Sequence, residues 1–112
     1  MTDRIKIVKG EDRKFNVRIR DAATGDAYDL TAVTSIKAFL KGDSGNVQIT
    51  SGAGEINIIT PTVNGRIELI WSDSKTPNLK IGDAQTLEIE IDEGSNKRIL
   101  QIKKSIDVVN RI

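Results

Sequence analysis

The sequence contains neither cysteine nor histidine. Without cysteine there can be no disulfide, no thiolate metal ligand and no thiol nucleophile. Without histidine, the usual zinc sites and the histidine-assisted nucleophiles are excluded as well. Catalysis would have to rely on carboxylates, hydroxyl groups, lysine and arginine, and we predict that the protein is not an enzyme.

The sequence also has no large excess of charge of either sign, few aromatic side chains and no long apolar run. The 17 basic and 16 acidic residues give a net charge of +1, so no overall field directs the chain onto nucleic acid or an anionic membrane. Aromatic residues make up 4% of the chain, few for a groove that stacks bases or sugars. No apolar run approaches the roughly 18–20 residues of a transmembrane helix, and no secretory signal is expected. We expect no cofactor and no nucleic-acid, membrane or small-molecule partner.

What the sequence does contain is apolar residues that recur with period two, which indicates half-buried β-strands. The clearest strands are predicted at residues 15–19, 67–71 and 87–91, with shorter ones at 4–8, 35–41, 47–50 and 56–60 and a last one at 97–109. Turn-forming residues separate these segments at short intervals, which is typical of a sandwich or barrel. Pro77 allows only one turn of α or 3₁₀ helix near residues 72–76. The length fits a single domain, assigned to residues 1–112.

The same alternation predicts the core. The predicted core residues are Ile7, Phe15, Val17, Ile19, Leu30, Ile36, Ala38, Leu40, Ile67, Leu69, Trp71, Leu87, Ile89, Ile91, Leu100 and Ile102. Phe39 has the opposite parity to its apolar neighbours, so either it is exposed and marks a contact surface or a second sheet covers it.

The last two strands are predicted to form a hairpin whose register can be tested. With Gly94-Ser95 at the tip, Asp92 faces Lys97, Ile89 faces Leu100 and Leu87 faces Ile102. This register matches apolar with apolar and acidic with basic residues, whereas a shift of one residue mixes the two faces. Lys104 breaks the parity of the last strand, which indicates a β-bulge or an edge position there.

Two features could carry chemistry, and each has a simpler explanation. Glu88 and Glu90 share a strand face about 7 Å apart, loosely compatible with a glycosidase carboxylate pair. Charges on the wet face of a strand explain them more simply. Residues 43–46 and 92–96 contain calcium-type oxygen ligands, but without EF-hand spacing, and the same residues form ordinary turns.

The first forty residues carry a recurring arrangement of short strands and turns. Its parts are Ile5-Lys6-Ile7-Val8-Lys9-Gly10-Glu11-Asp12, Phe15-Asn16-Val17-Arg18-Ile19-Arg20-Asp21, Thr24-Gly25, Tyr28-Asp29-Leu30-Thr31 and Ile36-Lys37-Ala38-Phe39-Leu40. This arrangement resembles the small immunoglobulin-like domains of tailed-phage tail and baseplate proteins, including the N-terminal domain of siphophage baseplate upper proteins. The likeness continues more weakly through residues 65–71 to the final hairpin, and Ala32 departs from it where many members carry glycine.

The resemblance implies an all-β fold, an immunoglobulin-like antiparallel β-sandwich of about seven or eight strands. It also implies a non-enzymatic virion structural protein of a tailed phage or prophage, made in the bacterial cytoplasm and assembled into the virion. The expected place is the tail, baseplate or fibre-attachment region, and the alternative is capsid or neck decoration. Expected partners are other virion proteins and copies of the chain itself, in a trimer or ring. From another class, a glycan- or calcium-dependent binding module is the alternative.

Two rows of charge on outward strand faces suggest how copies could meet. The outward face of residues 14–20 is basic and that of residues 88–92 is acidic, so the two faces could pair head to tail between copies. The predicted interface residues are Lys14, Arg18, Arg20, Phe39, Glu88, Glu90 and Asp92.

Overall fold

A computed structural model describes the backbone of residues 5–20, 24–94 and 96–109. Side chains are described over the same ranges, except at residues 83, 84, 96–107 and 109. The strands are β1 (Ile5–Val8), β2 (Arg13–Arg18), β3 (Ser35–Gly42), β4 (Gly45–Thr50), β5 (Ile56–Ile58), β6 (Arg66–Trp71), β7 (Gly82–Glu93) and β8 (Asn96–Val109). Two short 3₁₀ turns, Thr62–Asn64 and Thr76–Asn78, lie before and after β6.

The strands form two sheets packed as a sandwich. One sheet has five strands in the order β1-β8-β7-β3-β4, and the other has three in the order β2-β6-β5. This partition is that of an immunoglobulin domain. In its letter nomenclature, β2, β6 and β5 correspond to strands B, E and D of one sheet, and β4, β3, β7 and β8 correspond to C′, C, F and G of the other. The predicted all-β immunoglobulin-like sandwich is therefore confirmed. The pairing is antiparallel except between β1 and β8, which run parallel.

One apolar core fills the space between the sheets. Every predicted core residue with a described side chain is buried, and Trp71 is completely so. Leu100 and Ile102 lie outside the described side chains. The core also contains residues that the sequence pattern did not single out, namely Ile5, Ile49, Ile56, Leu79 and Val108.

The final hairpin has the predicted register. Leu87 faces Ile102, Ile89 faces Leu100 and Asp92 faces Lys97. The predicted irregularity is present too, because Thr86 pairs with Ser105 while Leu87 pairs with Ile102, which leaves Lys103 and Lys104 as extra residues. A bulge at this point restores the apolar parity of the end of β8, where Val108 is buried.

Some strand ends differ from the prediction. β5 ends at Ile58 rather than at residue 60, and β2 ends at Arg18, beyond which Arg20 forms an isolated bridge with Ala27.

Gly65 allows the main chain at Ile19 and Tyr28 to approach the start of β6 closely. Its φ is +66°, and an added Cβ would lie 2.5 Å from the Ile19 carbonyl oxygen, so only glycine fits.

The segment predicted as a short helical turn packs inward at two residues. Pro77 lies in the 3₁₀ turn, and Leu79 directly after it is fully buried. Thr76 is fully buried as well, and its hydroxyl is satisfied on both sides. It accepts a hydrogen bond from the Gly10 N–H at 3.0 Å and donates one to the Glu11 carbonyl at 3.0 Å. Thr76 thereby fixes the turn that leads from β1 into β2.

Candidate interaction site

The outer face of the three-stranded sheet carries a basic cluster, made of Lys14, Arg18, Arg20 and Arg66. The first three were predicted as interface residues, and all four are exposed. Arg66 was not predicted, because it joins the others only through the pairing of β6 with β2. In that pairing Arg18 lies directly opposite Arg66. The cluster thus forms where one predicted row of charge meets an arginine on the neighbouring strand.

Within the basic cluster the unfavourable contact is the pair Arg18 and Arg66, whereas Glu68 of β6 lies one position further along, opposite Asn16. Like charges directly opposite on neighbouring strands repel each other. Among the described side chains, no carboxylate forms an ion pair with Arg18 or Arg66. Arg20 donates a hydrogen bond to the Gly25 carbonyl at 3.1 Å, which orients its guanidinium without neutralising it. The three arginines line an open depression of about 480 Å³ that can accept an anionic group.

The outer face of the five-stranded sheet carries an acidic row on β7, made of Glu88, Glu90 and Asp92. All three side chains are partly exposed. This face is mixed rather than purely acidic, because Glu90 lies opposite Lys37 of β3. Phe39 lies opposite Glu88 on the same face and is half-buried, so it is neither fully exposed nor fully covered by a second sheet. The predicted interface residues therefore fall on two opposite outer surfaces, with β2 on one and β3 and β7 on the other.

The edges of the sheets differ in how their outward main-chain groups are satisfied. In β4, the even-numbered residues have their N–H and C=O groups directed away from β3. Lys75 Nζ donates to the Gln48 carbonyl at 2.6 Å, and Glu55 Oε1 accepts from the Thr50 N–H at 3.1 Å. The two side chains also form an ion pair at 2.8 Å. This Lys75–Glu55 pair closes the β4 edge with side-chain hydrogen bonds in place of a neighbouring strand.

The β1 edge is closed in a similar way. Arg13 Nε donates to the Lys6 carbonyl at 3.0 Å, and the Glu11 N–H donates to the Val8 carbonyl at 3.1 Å. The Arg13 guanidinium also lies 5.8 Å from the centre of the Phe15 ring, a cation–π contact that holds it in place.

The β2 edge is more open. The Ile19 N–H donates to the Gly65 carbonyl at 2.7 Å, so odd-numbered residues of β2 bond to β6. Even-numbered residues therefore direct their main-chain groups to the free edge. Arg13 Nη1 covers the Lys14 carbonyl at 3.1 Å. Within the described ranges, the N–H and C=O groups of Asn16 and Arg18 have no hydrogen-bond partner.

A corner of the sandwich is held by polar side chains, as the turn chemistry of residues 28–31 predicts. Asp29 Oδ1 accepts hydrogen bonds from the Thr31 hydroxyl and from the Thr31 N–H, the latter at 2.9 Å. Both bonds favour the carboxylate and lower the pKa of Asp29 below its ordinary value, the hydroxyl bond having the larger effect. Tyr28 packs against the core, and its hydroxyl donates to Glu93 Oε1. These contacts stabilise the corner.

The candidate calcium loop at residues 43–46 forms an ordinary turn, whereas the candidate at 92–96 includes residue 95, which lies outside the described residues. Asp43-Ser44 connects β3 to β4 as a two-residue hairpin turn, closed by the Gly42–Gly45 pair. The Asp43 carboxylate is paired with Lys9 at 3.2 Å. In the described part of the chain, no three acidic residues are grouped so that they could hold a metal ion. The structure describes no helix long and apolar enough to cross a membrane.

No protein-family model matches the chain, and no curated protein is significantly similar to it in sequence. The fold defines the class, an immunoglobulin-like β-sandwich.

Proposed function

We propose that the protein is a non-enzymatic structural component of a tailed-phage or prophage virion. In this role it is an assembly or adaptor module of the tail, baseplate or fibre-attachment region, and its partners are other virion proteins and copies of itself. The observation that carries the proposal is the placement of the basic cluster and the acidic row on opposite outer faces of one sandwich. A module with a different charged surface on each side can join two neighbours at once, as a repeated part of a ring requires.

The sequence resemblance supports the same role. The residues that carry it are turn residues of the sandwich, such as Gly10 and Asp29, and their contacts are structural. Gly10 lies in the turn fixed by Thr76, and Asp29 lies in the corner fixed by Thr31. Such residues build a rigid scaffold, and scaffold faces and edges are the parts that dock in an assembly.

Immunogold labelling of particles from the source strain tests the location. We expect label at the tail tip, baseplate or fibres. Label over the head or neck would move the protein to capsid or neck decoration. Particles without label, alongside labelled free protein in the same lysate, would contradict the virion proposal.

Contact between copies is tested separately with the double variant Glu88→Lys/Glu90→Lys. If the acidic row meets the basic cluster of a neighbour, this variant loses the oligomer in low salt, as measured by sedimentation. The control is Asp43→Lys/Asp73→Lys, which changes the net charge equally at two exposed turn residues that belong to neither the basic cluster nor the acidic row. An unchanged oligomer in the first variant, or equal loss in both, would rule out this interface.

A further inference from the structure

We propose that the β2 edge binds an acidic, extended segment of a partner protein, which adds to the three-stranded sheet as a fourth strand beside β2. The inference rests on the proposed assembly function and specifies one of its contacts. It concerns a binding surface of the single chain and can be tested on the purified protein without any particle.

The main-chain groups of β2 provide the first part of the site. Asn16 and Arg18 direct their N–H and C=O groups away from β6, and in the described residues these groups have no partner. Such a row is a template for another strand, because an added strand makes the same hydrogen bonds as a neighbour within the sheet. β4 and β1 offer less, since side chains already occupy main-chain groups along both edges. β5 offers only three residues.

Charge complementarity identifies the occupant. The basic cluster lies on the outer face along β2, so outward side chains of an added strand would lie beside Arg18 and Lys14. Arg18 already faces Arg66 without a described acidic partner. Carboxylates on the added strand would relieve this repulsion and fill the depression between the arginines.

A second copy of the chain fits this edge poorly. If two β2 strands paired antiparallel about Asn16, Lys14 of each would lie directly opposite Arg18 of the other, and like charges in that position repel. The acidic row cannot supply the strand either, because β7 lies inside its sheet between β8 and β3. Lysine and arginine on an edge strand commonly prevent such self-pairing. Here the same charges select an acidic partner.

The test uses two synthetic peptides of about eight residues, one alternating Glu and Val and the other Lys and Val. In an extended peptide the alternation places all charges on one face. We expect the Glu–Val peptide to slow hydrogen exchange at the Asn16 and Arg18 amides by about tenfold when nine-tenths of the protein is bound. The Lys–Val peptide should leave these amides unchanged, and salt near 1 M should weaken the Glu–Val effect.

Two proline variants separate strand addition from simple charge attraction. Asn16→Pro removes an N–H that points away from β6, so the ladder of the sheet is kept and binding of the Glu–Val peptide should be lost. Gln48→Pro is the matched control on the closed β4 edge, and it should bind like the parent protein. Arg18→Gln/Arg66→Gln should reduce affinity at least severalfold.

Three results would overturn the proposal. These are no protection of Asn16 and Arg18 at millimolar Glu–Val peptide, equal protection by both peptides, and a dimer of the protein that protects the same amides without peptide. The exchange measurement on the parent protein decides the matter even if Asn16→Pro does not fold. Since no particle is involved, a negative peptide result leaves the labelling test intact, and absence of label leaves the peptide result intact.

Discussion

The β4 and β2 edges have similar lengths but are finished in different ways. At β4, Lys75 and Glu55 bind the outward main-chain groups, and their charges neutralise each other. At β2, the outward groups of Asn16 and Arg18 have no described partner, and the charged side chains of the strand itself are all positive, with Glu68 of β6 opposite Asn16. An edge closed by side chains contributes to the stability of the monomer, whereas an edge left open and charged contributes less. Under the proposed function, the β4 side of the sandwich is structural and the β2 side is the one that takes part in assembly.

The largest effect is expected from Thr76→Val, because Thr76 lies between Lys75, which binds the β4 edge, and the turn that leads into β2. Thr76 follows Lys75 in the chain and holds the turn that leads into β2. Valine keeps the volume but removes both hydrogen bonds, the one from the Gly10 N–H and the one to the Glu11 carbonyl. A hydrogen bond contributes about 0.5–1.5 kcal/mol net, and both of these are part-buried, so we expect a loss of about 2–3 kcal/mol in urea unfolding. Thr76→Ser is the control and should retain most of the stability, and an equal loss in both variants would show that packing, not hydrogen bonding, is responsible.

Opening the closed edge should have the next largest effect. Lys75 and Glu55 have side chains that are 32% and 15% exposed, so their contacts are only partly screened by water. We expect Glu55→Gln or Lys75→Met to lower the free energy of unfolding by about 1–3 kcal/mol, because each leaves a partner or a main-chain group unsatisfied.

The double variant makes this test specific. In a double-mutant cycle, Lys75→Met/Glu55→Gln should cost less than the sum of the single changes, since the two side chains act as one unit. Lys80→Ala, at an exposed lysine close in the chain, should have little effect. Strict additivity in the cycle would mean that the ion pair does not close the edge cooperatively.

Much of the fold could be predicted from the sequence because strand alternation has a rigid period. The buried parity of β2, β6 and β7 follows directly from it, and the register of the final hairpin follows from matching two such patterns across a short turn. Ile49, Ile56 and Leu79 were missed because they lie in short or irregular segments, where two or three residues do not establish a period.

The edge contacts could not be predicted in the same way. Lys75 and Glu55 are far apart in sequence and meet only because a 3₁₀ turn and a loop converge on β4. Arg66 has outward parity in its own strand, which is a usable signal. Its position opposite Arg18 depends on the β2–β6 register, which no short turn fixes. The sequence identified the rows of charge, and the pairing of distant strands determined which charges face each other.

A smaller effect is expected at the open edge. Arg18→Gln removes the repulsion from Arg66, and we expect stability to rise by at most about 0.5 kcal/mol, since both side chains are exposed. The gain should be greatest in low salt and vanish near 1 M salt, as unfolding midpoints would reveal. Adding Arg66→Gln should bring little further gain, because the repulsion is already gone. Lys41→Gln, opposite the neutral Asn46, is the matched control and should not gain stability; a salt-independent gain in Arg18→Gln would exclude charge as its cause.

The smallest effect is expected at the corner around Asp29, which belongs to neither edge. Its contribution to the free energy of unfolding should depend on pH. Hydrogen bonds from Thr31 favour the carboxylate, so the pKa of Asp29 is lower in the folded than in the unfolded protein. The resulting stability is complete above the unfolded-state pKa and is lost as the pH falls through the lower folded-state pKa. Asp29→Asn keeps an acceptor oxygen but cannot ionise. Urea midpoints of parent and variant should therefore differ at neutral pH and converge in acid, whereas a difference that does not change with pH would show that the corner is held by geometry without help from the charge.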